Sequence, residues 1–473
     1  MLSAKEQGLL QRLSCFAGGC ALEAAEHVCP GDAIEASEVL DLVTSLVDKS
    51  FVTADEIDGE TRYGLLEPVR QYASERAAEV HAGSRWQARH LDFYLEIAER
   101  ARASEANADY AKWLGRLDVE HDNLRAALAW SATPGGDVSK GLRLGTALSR
   151  FWRLRGQLGA GSKVLLALLA VAPESLDPAI RLSALNYAGY LLTMATDFAT
   201  ASTLLDSALN LGRAMGNTSE YAQVLIHFGI FHSLQGEFAA ARRHEEEAIG
   251  ILRSLGDRRA LGAALHNLAG TLKNMGEASA SLRLQEESLA IKHELGDRLA
   301  VASGLHLRSL LLRELGDRAS ARKASEQSLA IYREFNAVPG MCSLLGHLGL
   351  LCCDEGDYVA ALRYLKEATR LLAEVGDRAQ VMSKLELTGY ACMSGDPLRA
   401  ARLWGAGERL REEAGTCRDP ATNPLFRRLE VAARTAVADD PAFDAAWRSG
   451  RQLGFEAAVK YALEAELTAS SPR

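Results

Sequence analysis

Four short stretches decide the fold: SLGDRRA at 254–260, ELGDRLA at 294–300, ELGDRAS at 314–320 and EVGDRAQ at 374–380. Their glycines belong to two interleaved series. Gly216, Gly256, Gly296 and Gly376 are separated by 40, 40 and 80 residues; Gly236, Gly276, Gly316 and Gly356 keep a spacing of 40, offset by 20. Between them lie helix-period segments such as HFGIFHSLQ and ARRHEEEAIGILRS. Glycine after the last periodic residue of a helix accepts the left-handed conformation, and an aspartate following it can cap the next helix. Each 40-residue unit is therefore expected to be a helix, a tight turn, a second helix and a short connector. One such pair cannot bury its apolar face alone, so neighbours stack into a solenoid. Proline placement agrees, because Pro173, Pro178, Pro339 and Pro397 fall at expected connectors and none occurs between 179 and 338.

The units resemble tetratricopeptide repeats of a longer, 40-residue kind. The resemblance rests on a small residue in the first helix, the turn glycine and a small residue in the second. These are Gly189, Thr196 in the glycine's place and Ala201; Gly229, Gly236 and Ala241; then Ala269, Gly276 and Ser281. Arg308, Gly316 and Ala321 follow, with Arg308 departing from the pattern. Gly349, Gly356 and Ala361 restore it, and Gly389, Gly395 and Ala400 or Ala401 close the set after a one-residue deletion. A weaker unit starts near Lys140, with Trp152, Gly156 and Gly161, making about seven units over residues 140–412. Small residues are expected there because two helices cross closely.

The composition fits this reading. The chain has 473 residues, 48% apolar and 24% charged, which sits at the globular norm and excludes wholesale disorder. Proline runs at about half its usual ~5% share, as long helices require. A net charge of −9 gives no global attraction to nucleic acid. The longest apolar run, Val164 to Ala172, is too short to span a bilayer, and MLSAKEQGLLQRLSCF reads as an amphipathic helix rather than an export signal, so the cytoplasm is the expected compartment. Cys15, Cys20, Cys29 and His27 lie close together, but their spacings match no zinc pattern.

Residues 1–80 read differently. KEQGLLQRLSCF, LEAAEHVC and SEVLDLVTSLVDKSF carry helical periodicity, and SFVTADEIDGETRYGLL alternates like a hairpin about Asp58-Gly59. A fourth helix is expected from Glu67, with Pro68 in its first turn. The class is thus all-α, a small winged helix (1–80), a linking helical segment (81–139), the repeats (140–412) and a helical cap with a short tail (413–473). Where a recognition helix would lie stand Glu35, Glu38, Asp41 and Asp48, with Lys49 its only cation; the wing carries Asp55, Glu56, Asp58 and Glu60 against Arg62. Such a surface repels phosphates, so docking on protein is the favoured reading over direct DNA binding.

SAKEQGLLQRLSCFAGGCALEAAEHVC, LDLVTSLVDKSFV and RYGLLEPVRQYASERAAE resemble the winged-helix segment of bacterial signal-transducing ATPases of the NB-ARC class. Those ATPases, also called STAND proteins, occur in LuxR-type and SARP-type transcriptional regulators. The resemblance continues through WLGRLDVEHDNLRAALAW at 113–130 and the repeats to FDAAWRSGRQLGFEAAVKYAL at 443–463. It implies a repeat array that senses a ligand or partner and governs an ADP/ATP switch. Met1 falls where the winged helix begins and Arg473 ends the chain, so neither the ATPase core nor the DNA-binding domain of that plan is expected here. The nucleotide-contacting Met-His-Asp triplet of the family is matched only by Leu65-Leu66-Glu67, which lacks the His. No cofactor is expected.

Several motifs fail on context. GQLGAGSK at 156–163 reverses the Lys-Ser order of a phosphate loop and follows a helix rather than a strand. Glu120, His121 and Asp122 diverge around a helix and read as a helix start, with Asp122 or Asn123 at the cap. Glu245, Glu246 and Glu247 read as a solvated face. His227, His306 and His347 recur at one place in the first helices, with His266 one position earlier, either as a titrating ladder or as a repeated hydrogen-bonding position. No catalytic constellation is recognisable, and no enzyme is expected.

Offsets around the small residue select an inner face of Asn186, Tyr190, Ile226, Ile230, His266, Lys273, Asn274, Arg313 and Tyr390. That mixture suits a protein partner, a peptide or a small molecule better than a polyanion; packing between repeats is the competing explanation. The expected function is a non-enzymatic signal-sensing module of a transcriptional regulator. In it the winged helix couples to an ATPase, encoded separately or lost, or to another effector. A free-standing adaptor with no part in transcription stays open as the alternative.

Overall fold

The protein is described by a computed structural model. It describes residues 2–57, 59–79, 83–106, 109–393, 395–414, 430–431, 434–435 and 440–466. Asp58, Cys417 and parts of the expected C-terminal cap lie outside the described residues. Packing divides the chain into two units: residues 1–153 with 157–227, and residues 154–156 with 228–473.

The first unit opens with α1 (Ala4–Leu13), β1 (Cys20–Ala21), α2 (Leu22–Val28), a 3-10 turn (Ala36–Glu38), α3 (Val39–Asp48), β2 (Thr53–Ile57), β3 (Glu60–Gly64) and α4 (Glu67–Glu79). A capping box starts α1: the Glu6 amide donates to Ser3 Oγ at 3.2 Å and the Ser3 amide to Glu6 Oε2 at 2.6 Å. Leu9, Leu13, Ala25, Val28, Val43 and Leu46 are buried in this winged helix. The expected hairpin pairs Thr53 with Gly64 and Ile57 with Glu60. A third strand, β1, extends it antiparallel in the order β1-β3-β2, pairing Cys20 with Tyr63 and Ala21 with Arg62. Two residues carry no alternation, which is why the sequence hides this strand.

The same unit continues through α5 (Gly83–Ala103), α6 (Tyr110–Val119), α7 (His121–Ser131), α8 (Val138–Ala147), α9 (Ser149–Leu154) and α10 (Leu158–Val171) to the pair α11 (Pro178–Met194) and α12 (Phe198–Met215). Helix α13 (Ser219–Leu234) begins in the first unit and ends in the second. The second unit then runs through α14 (Phe238–Leu255), α15 (Arg258–Asn274), α16 (Ala278–Glu294), α17 (Arg298–Glu314), α18 (Arg318–Glu334), α19 (Val338–Glu355), α20 (Tyr358–Glu374), α21 (Arg378–Cys392), α22 (Pro397–Ala414), α23 (Asp440–Arg451) and α24 (Phe455–Leu463). A small winged helix followed by a tetratricopeptide-like helical solenoid is the expected class.

Each residue of the repeated Gly-Asp-Arg stretch has a role. Gly256, Gly296, Gly316 and Gly376 hold φ between 69° and 88°, where a Cβ is penalised. Asp257, Asp297, Asp317, Asp357 and Asp377 each accept a backbone N–H three residues on, at 2.9–3.0 Å. Arg258 and Arg298 pair with Glu294 and Glu334 of the next unit's equivalent stretch. The place where the glycine series skips a term holds Asn336 at φ 47°, and Thr196 stands in at 64°; asparagine tolerates this region best after glycine.

The close crossings are real. A Cβ at Gly189, Gly349 or Gly389 would stand 2.8 Å from Leu205, 2.8 Å from Leu365 or 2.6 Å from Trp404. Opposite them Ala201, Ala241, Ser281, Ala321, Ala361 and Ala400 are fully buried. One assignment needs correcting. Counting back from Gly316 as in the other units, the crossing residue is Ser309, not Arg308. Ser309 is buried and hydrogen-bonds Ser325 at 2.6 Å, while Arg308 turns outward to Glu286 at 2.7 Å. The fourth unit therefore keeps the pattern, since a buried crossing excludes a guanidinium and admits a hydroxyl.

Candidate functional site

The crossing residue also sets what faces it in the second helix, sixteen residues later. In successive units that position is Leu205, Glu245, Gln285, Ser325 and Leu365. Leucine is the apolar solution at either end of this series; three consecutive middle units replace it with polar side chains. All three are buried. An unpaired polar group in such a layer costs roughly 1–3 kcal/mol, so its partners matter.

Those partners form a seam. Glu245 Oε1 accepts from the Thr271 hydroxyl at 3.1 Å. Gln285 joins His266 Nδ1 through Oε1 at 3.0 Å and donates from Nε2 to the Gly304 carbonyl at 3.0 Å. Ser303 lies 3.2 Å from His266 Nε2. Ser309 meets both Ser325 and His347 Nε2, the latter at 2.8 Å. Glu245 Oε2, by contrast, is buried with no partner among the described residues. Burial pushes the Glu245 carboxyl up to about 8.

Beside the seam lies a cavity of about 290 Å³ among α13, α14, α15 and α17, walled by Ile230, Leu234, Leu307 and Leu310 and by Glu245, His266, Asn267, Thr271, Asn274, Ser303 and His306. Of the nine expected inner-face residues, it brings together Ile230, His266 and Asn274. Asn186, Tyr190 and Ile226 lie in the first unit. There Asn186 Oδ1 bonds His227 Nδ1 at 2.9 Å and Tyr190 stacks on the same ring at 4.1 Å. Ile226 is core, 1% exposed. Lys273 and Arg313 are committed to Glu314 at 3.2 Å and Asp354 at 2.7 Å, each on the following unit's first helix. Tyr390 is half-buried, its hydroxyl pushed up to about 12 chiefly by burial.

Sequence reading passed over Glu245 by taking its run as solvated. Glu246 and Glu247 are indeed exposed, but Glu245 faces Gly229, whose missing Cβ would stand 2.6 Å from the glutamate Cγ. The signal was present: Glu245 occupies the register of Leu205 and Leu365. The imidazoles follow the corrected register, with His227 and His347 two residues before the crossing and His266 and His306 three. Burial pulls His227 and His347 down to about 3 and His306 to about 4, so these three are neutral at pH 7. His227 and His347 serve as hydrogen-bonding groups rather than a titrating ladder.

In the winged helix, the cation at the end of α3, Lys49, is bound to Glu6. Wing residue Arg62 turns inward to Glu120 at 2.6 Å, both side chains about 5% exposed. Glu120, rather than Asp122 or Asn123, is the residue preceding α7; its carboxylate also accepts from Tyr94 at 2.9 Å and Asn123 at 2.7 Å. Asp55, Glu56 and Glu60 remain exposed. Arg12, Arg85 and Arg89 gather over Trp86, at 4.3–5.9 Å from its ring. Cys20 and Cys29 are buried, and no group of three metal-ligating side chains occurs among the described residues. No described helix is long and apolar enough to cross a membrane.

Residues 2–78 match the winged helix-turn-helix domain family and residues 261–334 the tetratricopeptide repeat family. A Mycobacterium tuberculosis protein bearing the provisional name HTH-type transcriptional regulator is 40% identical over 166 residues, 34% of this chain and 18% of that protein. The chain thus matches less than a fifth of that relative's length. An uncharacterized Mycobacterium bovis protein is 35% identical over 111 residues, 23% of this chain and 28% of its own. Among solved structures, a Rap protein complexed with competence and sporulation factor aligns with TM-score 0.49 at 15% identity, over 74% of this chain and 98% of that one. A signal-transduction ATPase with a tetratricopeptide repeat sensor from Pyrococcus horikoshii aligns at 0.48 and 14%, over 95% and 63%.

Proposed function

We propose that the chain is a non-enzymatic, signal-sensing regulatory module in which the repeats of the second unit receive a small ligand or a protein partner. The buried polar seam beside the cavity carries this reading: Gln285 and Ser325 find partners within the fold, whereas Glu245 Oε2 is buried with none among the described residues. In this reading the winged helix docks on protein, in the manner of an NB-ARC-class regulator, with an ATPase or other effector as its partner. It does not read DNA: the cations of α3 and the wing are bound to Glu6 and Glu120, leaving acidic side chains outward.

The test is a titration of the full chain with a fluorescent duplex from the region upstream of its own gene, at 50 and 200 mM salt. The expected result is weak binding with a shallow salt slope. Tight binding that falls about a thousandfold or more between those salts, as several phosphate contacts require, refutes the reading.

A further inference from the structure

Glu245 is a buried carboxyl that its neighbours only half satisfy. Its side chain sits where leucine serves the neighbouring units, 1% exposed and lining the cavity, with Oε1 held by Thr271 and Oε2 buried without a partner among the described residues. Once ionised, the carboxylate is acceptor-only, so a group that draws it into that form must be a donor, and a charged donor gives about twice the bond of a neutral one. A guanidinium seeks both oxygens in a fork, and here one is taken; an ammonium is a point donor that needs one. Ile230, Leu234, Leu307 and Leu310 offer apolar wall for the chain that carries it.

We propose that this cavity binds a primary ammonium group borne on a short aliphatic chain, with the Glu245 carboxylate as its counter-ion. The proposal rests on the ligand-sensing reading of the second unit. The other titratable groups in the wall are His266 and His306; Glu246 on α14 acts on Glu245, while Lys384 on α21 and Lys273 on α15 act on His306, which burial chiefly keeps neutral at pH 7. Because burial raises the Glu245 carboxyl to about 8, ammonium binding at pH 7 releases a proton from it.

The experiment titrates the full chain by calorimetry with n-hexylamine, n-hexanol, n-hexanoate and n-hexylguanidine, in phosphate and in HEPES. Two further arms use the amide of Leu-Ala-Leu with a free or an acetylated N-terminus. Hexylamine is expected to bind, to release a proton, and to weaken about tenfold or more in Glu245→Gln and Glu245→Leu. Both variants are expected to fold, Glu245→Leu with a raised Tm, since leucine already packs over glycine in this register at Gly189 and Gly349. Tighter binding of hexylamine than of the tripeptide assigns a free amine; the reverse, abolished by acetylation, assigns a peptide terminus. Equal binding of amine and alcohol, a tighter guanidine, or unchanged amine affinity in Glu245→Gln overturns the proposal. Failure of every probe overturns it too. If hexanoate binds and hexylamine does not, the ammonium proposal falls while the ligand-sensing reading stands.

Discussion

Removing one partner of the Arg62–Glu120 pair tests how the wing is held. Arg62 Nη1 meets Glu120 Oε1 at 2.6 Å, Nη2 meets Oε2 at 3.3 Å, and Nη2 also donates to the Gly19 carbonyl at 3.1 Å. Tyr94 and Asn123 complete the carboxylate's partners, and Asn123 ties back to Gly19 at 2.8 Å and to the Ala17 amide at 2.8 Å. With both ions about 5% exposed, Glu120→Ala leaves a guanidinium buried beside two neutral donors, at a cost of about 3–5 kcal/mol. Arg62→Leu leaves the carboxylate with Tyr94 and Asn123 and costs less, about 2–3 kcal/mol, as loss of a charged hydrogen bond. The double variant Arg62→Leu/Glu120→Ala removes both desolvation penalties and is expected to lie closer to wild type than Glu120→Ala does. Hydrogen exchange at the β1 and β3 amides is the assay, because it reads opening of this sheet without assuming that both units melt together. Additive single effects, with a coupling below about 0.5 kcal/mol, refute the claim that the pair holds the wing.

Other expectations follow from single positions. Gly349→Ala drives a Cβ to within 2.8 Å of the fully buried Leu365 and should lower stability by about 1–3 kcal/mol, with partial rescue by Leu365→Ala in a denaturant melt. Two substitutions near the end of α14 should have opposite signs: Gly250→Ala, mid-helix in open space, gains about 1 kcal/mol, whereas Gly256→Ala at φ 69° loses about as much. Equal signs would refute the conformational argument. Glu6 is pulled down from 4.5 to about 2, chiefly by its bond to Lys49, so its contribution is present above pH 4.5 and disappears as pH falls towards 2. Melts of wild type and Glu6→Gln should therefore converge in acid. Glu245 has the opposite sign: its raised carboxyl costs nothing below 4.5 and most above 8, so the Tm gain of Glu245→Leu should widen across that range. A gain independent of pH would show that packing alone is responsible.

The local code was legible because it is local. Glycine spacing and the aspartate behind each glycine act within one or two helical turns, so the helix pairs, their caps and the winged helix follow from the sequence alone. Even the missing glycine at 336 is answered locally, by an asparagine. Register needed the fold: Arg308 and Ser309 are adjacent, and only the crossing itself says which one is buried. The inner-face list mixed groups that meet in the cavity, such as Ile230, His266 and Asn274, with Lys273 and Arg313, which acids about 40 residues away remove. Tertiary packing alone decided the two charges that matter most. Arg62 faces inward because Glu120, 58 residues later, is brought beside it. Glu245 is buried because Gly229 has no side chain and Thr271 arrives from the next unit. A charge run looks solvated one residue at a time; burial is a property of what other parts of the chain place around it.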